Sequence, residues 1–333
     1  MKVVLFRMPT KKPSRSKSRS SPPSTMSPAA KPPSAFERAM DEMRHQPAGA
    51  YPDVPVGWLV KALVVTLAGI LVLIWLALCL LFWQGSWQLL YHPAAAVTRT
   101  PATAGLAYEP VRFAPDQAGA PQLTGWWVPA DGARFTVLYL HGADGNLGDT
   151  VDALAALHQT GVAVFAIDYR GYGQSVKARP SEAGWVEDAG QAIAYLTQTR
   201  HVEQGRLIVY GQGLGANLAA ELAGRDADLA GVVLDRPVAE GAGPIFADPR
   251  SRMVPARWLV KDRWDLTAAA GEMVPPSLWL MEQPEPGKPA VPSVAYEAVK
   301  VRKSLVWLHA PVMGDSHFSQ EIGRWMGDLP GRR

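Results

Sequence analysis

Residues 206–217 read RLIVYGQGLGAN, and the fold follows from how that run is built. Five strand-favouring residues, Arg206–Tyr210, lead straight into Gly211-Gln212-Gly213-Leu214-Gly215, and Leu214–Gly224 has the composition of a helix. A strand turning at once into a helix through glycines lets the two backbones pack tightly, which a Cβ would prevent. Similar units lie on either side. Upstream, Phe135–Leu140 (FTVLYL) and Val162–Ile167 are continuous apolar runs of the kind that buried strands need, with a predicted helix from about Leu147 to Thr160 between them. Ser181 can cap the next helix, in which Trp185, Ala189, Ile193 and Leu196 recur at helical spacing. Downstream, Gly231–Asp235 (GVVLD), Ser277–Met281 (SLWLM) and Ser304–His309 (SLVWLH) read as strands, and a last helix starts near Phe318. Val111–Phe113 and Gln122–Val128 alternate apolar and polar residues, as an antiparallel edge hairpin does. Strand–helix alternation over five repeats predicts an α/β fold, with a mainly parallel sheet and helices on both faces.

Ahead of this block lie two segments of different character. Ala62–Trp83 is 22 residues without a charge, about 33 Å of helix and enough to cross a ~30 Å hydrocarbon core. Trp58 flanks it on one side and Trp83, Trp87 and Tyr91 on the other, so residues 58–88 are predicted to be a transmembrane helix with aromatic flanks. Residues 1–57 carry ten Lys/Arg against four Asp/Glu, and the run from Lys11 to Pro33 is Pro, Ser and basic residues with almost nothing to bury. The expectation is a disordered basic tail on the cytoplasmic side, a single span, and residues 89–333 outside the cytoplasm. In a bacterium this is the periplasmic side of the inner membrane. Residues 84–333 carry 22 basic and 26 acidic side chains, a balance that speaks against a nucleic-acid surface. The lone cysteine, Cys79, lies inside the span and excludes an internal disulfide or a Cys-based zinc site. No cofactor or metal is expected.

Parallel sheets do their chemistry in the loops beyond the carboxyl ends of their strands. Here these read HGADGN (141–146), DYRGYGQS (168–175), GQGLGAN (211–217), DRPVAEG (235–241), EQPEPGKP (282–289) and MGDSHF (313–318). With LLYHP (89–93) ahead of them, they make the chain, from about Leu89 to Trp325, resemble the α/β-hydrolase superfamily, most of all its membrane-anchored single-span serine hydrolases. The resemblance implies a nucleophile elbow, G-x-S-x-G, at 211–215. Gly213 occupies the serine's place, and no Ser lies between Ser181 and Ser251. By the same resemblance His317 is the general base and Glu285 the acid that orients it, with Glu282 or Asp315 as substitutes. The same resemblance implies that the backbone N–H groups of Leu214 and Ala143 would form the oxyanion hole. Asp144 would oppose an oxyanion if it pointed inward, and Asp168 and Arg170 read as loop braces. Residues 242–272 read as a cap-like insertion with five basic side chains between Arg250 and Arg263.

Three functions remain open on these residues. The first is a degenerate hydrolase that binds a small acyl- or ester-type ligand or a protein partner. The second is an active hydrolase using water activated by His317 or another nucleophile. The third is a dinucleotide site, in which Gly211-x-Gly213-x-x-Ala216 receives a pyrophosphate and Asp235 a ribose.

Overall fold

The structure, a computed structural model, describes residues 32–45, 54–285 and 288–329. The basic run read as disordered lies, apart from its last two residues, outside them. Among the described residues of the tail, Ala35–Arg44 departs from expectation, because it is a helix, α1. Ser34 caps it by accepting from the Glu37 N–H, and the Glu37 carboxylate accepts from the Ser34 N–H, a reciprocal box that satisfies two orphan donors. The second helix, α2 (Val56–Gly85), takes in the charge-free run and continues as a 3₁₀ turn, Ser86–Leu89. It is long and apolar enough to cross a membrane, and nearly all its side chains are exposed.

Residues 66–333 form one unit around an eight-stranded sheet. A short bridge, β1 (His92–Pro93), precedes the hairpin β2 (Glu109–Pro115) and β3 (Pro121–Val128). There follow β4 (Thr136–Leu140), the short β5 (Asp144–Gly145) that pairs with β1, helix α3 (Val151–His158) and β6 (Ala163–Asp168). Helix α4 (Glu182–Ala194), β7 (Leu207–Gln212), α5 (Leu214–Arg225) and β8 (Gly231–Asp235) form the centre. The insertion contains only short helices, α6 (Gly243–Ala247), α7 (Ala256–Leu259) and α8 (Leu266–Glu272). The chain closes with β9 (Ser277–Glu282), α9 (Val294–Ala298), β10 (Lys303–Leu308) and α10 (Phe318–Gly327).

The strand order is β10-β9-β8-β7-β4-β6-β3-β2, parallel except where β3 meets β6 and β2. Every residue of β4, β6 and β8 is buried, as their unbroken apolar runs foretold. Alternate side chains feed two cores. Leu138 and Leu140 pack with Trp185, Leu218 and Leu266 on the face of α4, α5 and α8; Val137 and Tyr139 pack with Leu154, Ile322 and Trp325 on the face of α3 and α10. The chain leaves β6 on one side of β4 and returns as β7 on the other. That reversal opens a crevice beyond the carboxyl ends of β4 and β7, where open α/β sheets bind ligands.

Candidate active site

Gly213 sits in this crevice, between β7 and α5, at φ +57° and ψ −121°. Its N–H donates to the Asp235 carbonyl at 2.8 Å, which tethers the turn to β8. The neighbouring glycines serve packing: a Cβ on Gly211 would lie 2.1 Å from the Gly215 carbonyl oxygen, and one on Gly215 would lie 2.3 Å from that of Leu140. At Gly213 itself the nearest atom to a Cβ would be the Gly142 Cα, 4.0 Å away. The turn that exposes a side chain is in place, with room before it.

That room is a cavity of about 550 Å³. Its walls come from the loop after β4 (His141–Asp144), from Gln212, Gly213 and Leu214, from Arg236 and Val238 beyond β8, and from Leu89, Leu90 and His92. Ala143 and Leu214 are therefore brought together beside Gly213, with Leu214 opening the first turn of α5, whose dipole favours negative charge. The Ala143 carbonyl accepts from the His92 N–H at 2.9 Å and from Tyr172 Oη at 2.8 Å, which fixes that peptide. Asp144 stands on this wall with its side chain 82% exposed and its Oδ1 2.6 Å from His92 Nδ1, so its carboxylate is engaged by the histidine.

His317 and Glu285 are placed elsewhere, and both expectations need correcting. His317 stands at the N-cap position of α10 without a side-chain bond to the helix, and its ring is 65% exposed, with Nδ1 3.0 Å from Asp315 Oδ1; it is not among the residues lining the cavity. Glu285 pairs with Lys288 at 2.7 Å in an exposed loop and holds no histidine. The carboxylate beside His317 is Asp315, which accepts from the backbone N–H groups of His317 and His309. Those bonds, first the one from His317, hold it well below the usual carboxylate range. A turn closed by two donors on one carboxylate directs the His317 ring outward.

The dinucleotide reading is corrected too. Asp235 is fully buried, bonded by Tyr210 Oη at 3.0 Å, Gln212 Nε2 at 3.3 Å and Arg236 Nε at 3.0 Å, so it has no face to offer a ribose. Burial pushes its carboxyl above the usual range.

Two cavity residues escaped the sequence reading. His92, in the run LLYHP, is set directly opposite Asp144 by the β1–β5 pairing. His141 is 2% exposed, packed against Tyr169, Tyr172 and Trp185. Its Nδ1 lies 2.7 Å from the Gly142 carbonyl, which can only accept, so the proton sits on Nδ1. Nε2 is left bare, 3.6 Å from Oδ1 of the buried Asp168. Burial pushes His141 down to about 4 and Asp168 up to about 7. Asp168 thus stabilises the fold below its unfolded value of 3.8, and this contribution is lost as pH rises through 7. His141 stabilises the fold above its unfolded value of 6.5 and loses that contribution as pH falls through 4. Between pH 4 and 6.5 the two slopes oppose one another. Asp168→Asn removes one of them, and the variant is expected to lose stability towards acid at up to about 1.4 kcal/mol per pH unit. Urea unfolding at pH 4.5, 5.5 and 6.5 measures this; an equally steep loss in the parent would refute the compensation.

Comparisons with known proteins agree with this architecture. Residues 131–272 match the family described as serine aminopeptidase, S33. The chain is 32% identical over 148 residues to the protein YfhR of Escherichia coli O157:H7, covering 42% of this chain and 50% of YfhR. It is 35% identical over 97 residues to bem46 of Schizosaccharomyces pombe, covering 29% and 32%. The chain spans about half the length, or less, of these curated relatives. Among solved structures, the Pyrococcus furiosus esterase Pf2001 superposes with a TM-score of 0.56 at 18% identity, over 72% of this chain and 97% of the esterase. The 2,6-dihydroxy-pseudo-oxynicotine hydrolase does so with 0.52 at 15% identity, over 67% and 68%. The fold is that of the α/β hydrolases.

Proposed function

We propose that this chain is a single-pass membrane protein whose α/β-hydrolase-fold domain, on the extracytoplasmic side, binds an acyl or ester ligand and has lost turnover through a serine acyl-enzyme. The observation that carries this reading is Gly213, which holds the elbow's backbone and opens onto an unfilled cavity without supplying an attacking atom. A ligand carbonyl would point at the Leu214 and Ala143 peptides while its chain lies along Leu89, Leu90 and Val238. The basic excess before α2 supports the orientation. The test uses the full chain in nanodiscs. No covalent labelling by a fluorophosphonate is expected, whereas hexanoate or its methyl ester binds by calorimetry, and Val238→Trp, which fills the cavity, abolishes that binding. Labelling of the parent chain, or binding indifferent to Val238→Trp, would refute the proposal.

A second reading is carried by His92. With Nδ1 engaged by Asp144, its Nε2 is free to accept a proton from water in the same cavity. The hydroxide would attack the ester carbonyl, the oxyanion would face the two peptides, and the imidazolium would return its proton to the leaving alkoxide, giving acid and alcohol. This replaces His317 as the base. Slow hydrolysis of p-nitrophenyl butyrate that is lost in His92→Gln but kept in His317→Ala would favour it; no hydrolysis leaves the binding role alone.

A further inference from the structure

The outer half of α2 is not a free-standing tether. Trp75 Nε1 donates to the Met253 carbonyl at 3.1 Å, and Phe82 is buried in the domain's core. Between them a second cavity, about 240 Å³, runs between Leu78, Leu81, Phe82 and Gly85 of α2 and Met253 and Val254 of the insertion. Trp75 lies eight residues before Trp83, about 12 Å down the helix axis. If the apolar helix is a span, the insertion therefore reaches the bilayer. Its surface suits that position. Trp258 is 89% exposed and Met253 59%, a cost in water but not at a lipid interface. Beside them stand Arg252, Arg257 and Lys261, none of which has a carboxylate partner among the described residues, while Asp248 is taken by Arg250 and Asp262 by Tyr91. The insertion beside the groove is therefore cationic, while the groove itself is lined by apolar side chains together with Ser86 and with Arg250, which Asp248 holds. Leu89 lines this groove and the elbow cavity alike, so the two adjoin.

We infer that the groove takes an acyl chain of an anionic phospholipid from the adjoining leaflet, with the insertion's basic side chains on the headgroup phosphate and the chain directed past Leu89 towards the elbow. This rests on the proposed membrane span and the proposed acyl-binding cavity, and it names their ligand class as an ester lipid of the bilayer. One wall of the groove is itself the apolar helix, so hydrocarbon chains are what its mouth meets, and the unpaired basic side chains of the neighbouring insertion select negative headgroups.

The experiment uses the full chain in nanodiscs of phosphatidylcholine containing a few per cent phosphatidylglycerol whose acyl chain carries a diazirine. After irradiation, adducts are mapped by mass spectrometry. Labelling is expected to concentrate at least fivefold on Leu81, Leu89, Met253 and Val254 relative to the fully lipid-facing Leu71 and Leu73. It should fall towards parity when Arg252, Arg257 and Lys261 are all changed to Glu, and when the probe is a phosphatidylcholine. Equal labelling of groove and helix face, or enrichment indifferent to both the charge reversal and the headgroup, overturns the inference. Val238→Trp separates the two proposals, because it blocks hexanoate at the elbow while leaving the groove adducts intact. Failure of the parent chain to bind hexanoate while its groove labelling is kept refutes the cavity reading alone.

Discussion

Gly211→Ala is expected to abolish the folded domain. The added methyl would sit 2.1 Å from the Gly215 carbonyl oxygen and 2.6 Å from the Ala216 Cα, both backbone atoms of α5. Neither element can retreat. β7 is paired on both edges, with Gly211 in register with Leu140 and Leu234, and α5 is pinned because Gly215 lies against the Leu140 and His141 carbonyls. Overpacking by a methyl in an ordinary core costs about 1–3 kcal/mol; a clash of backbone on backbone exceeds about 4 kcal/mol, enough to consume most of a domain's margin. The measurement is the yield of folded protein with limited proteolysis of the purified full chain. Gly213→Ser is the counterpart two residues on. Its side chain meets open space, and the cost is confined to placing a non-glycine residue at φ +57°, about 1–3 kcal/mol, so this variant should fold. A stable Gly211→Ala protein would mean that strand and helix are not in contact there.

Arg170→Ala should cost about 3 kcal/mol. Asp188, only 1% exposed, receives the Arg170 N–H at 2.8 Å, Nε at 2.8 Å and Nη2 at 2.6 Å. Burial still leaves its carboxyl above the usual range despite these bonds. Removing the guanidinium strands a buried anion, which is far costlier than never having buried one. The sign of the pH effect follows. A carboxyl whose folded value lies above its unfolded value gains stability as pH falls, so the deficit of Arg170→Ala should be larger at pH 8 than at pH 5. Arg170→Lys should recover only part of it, because an ammonium cannot reproduce the fork. Urea unfolding at both pH values tests this; a pH-independent deficit would show that lost packing, not the stranded charge, is responsible. The damage would spread to the cavity, since Tyr169 and Tyr172 on the same loop wall His141, Tyr169 holding the His141 carbonyl and Tyr172 that of Ala143.

The central strands β4, β6 and β8 were legible because they are buried on both faces and so appear as unbroken apolar runs, and the elbow because Gly211 and Gly215 have no room for a Cβ. What escaped notice depends on contacts remote in sequence. His92 and Asp144 are 52 residues apart and meet only through the two-residue β1–β5 bridge, too short to leave a periodic signal. His317 was assigned by position after the last strand, but the direction of its ring depends on how Asp315 gathers two backbone donors, which spacing does not encode. The helix at Ala35–Arg44 did have a signal, the Ser34-x-x-Glu37 box, overshadowed by the Pro- and Ser-rich composition before it.

The segment that follows α2 has a practical consequence. Leu89, Leu90 and His92 form part of the cavity wall, Tyr91 is clasped by Asp262 at 2.9 Å and Trp264 at 3.0 Å, and the pairing of His92 with the β4 loop holds that loop's peptide in place. The segment after α2 and the sheet domain are one working part. A soluble fragment trimmed to begin at the first sheet strand would lose a wall, a histidine and a latch together, so an inert fragment would say nothing about the activity of the intact chain.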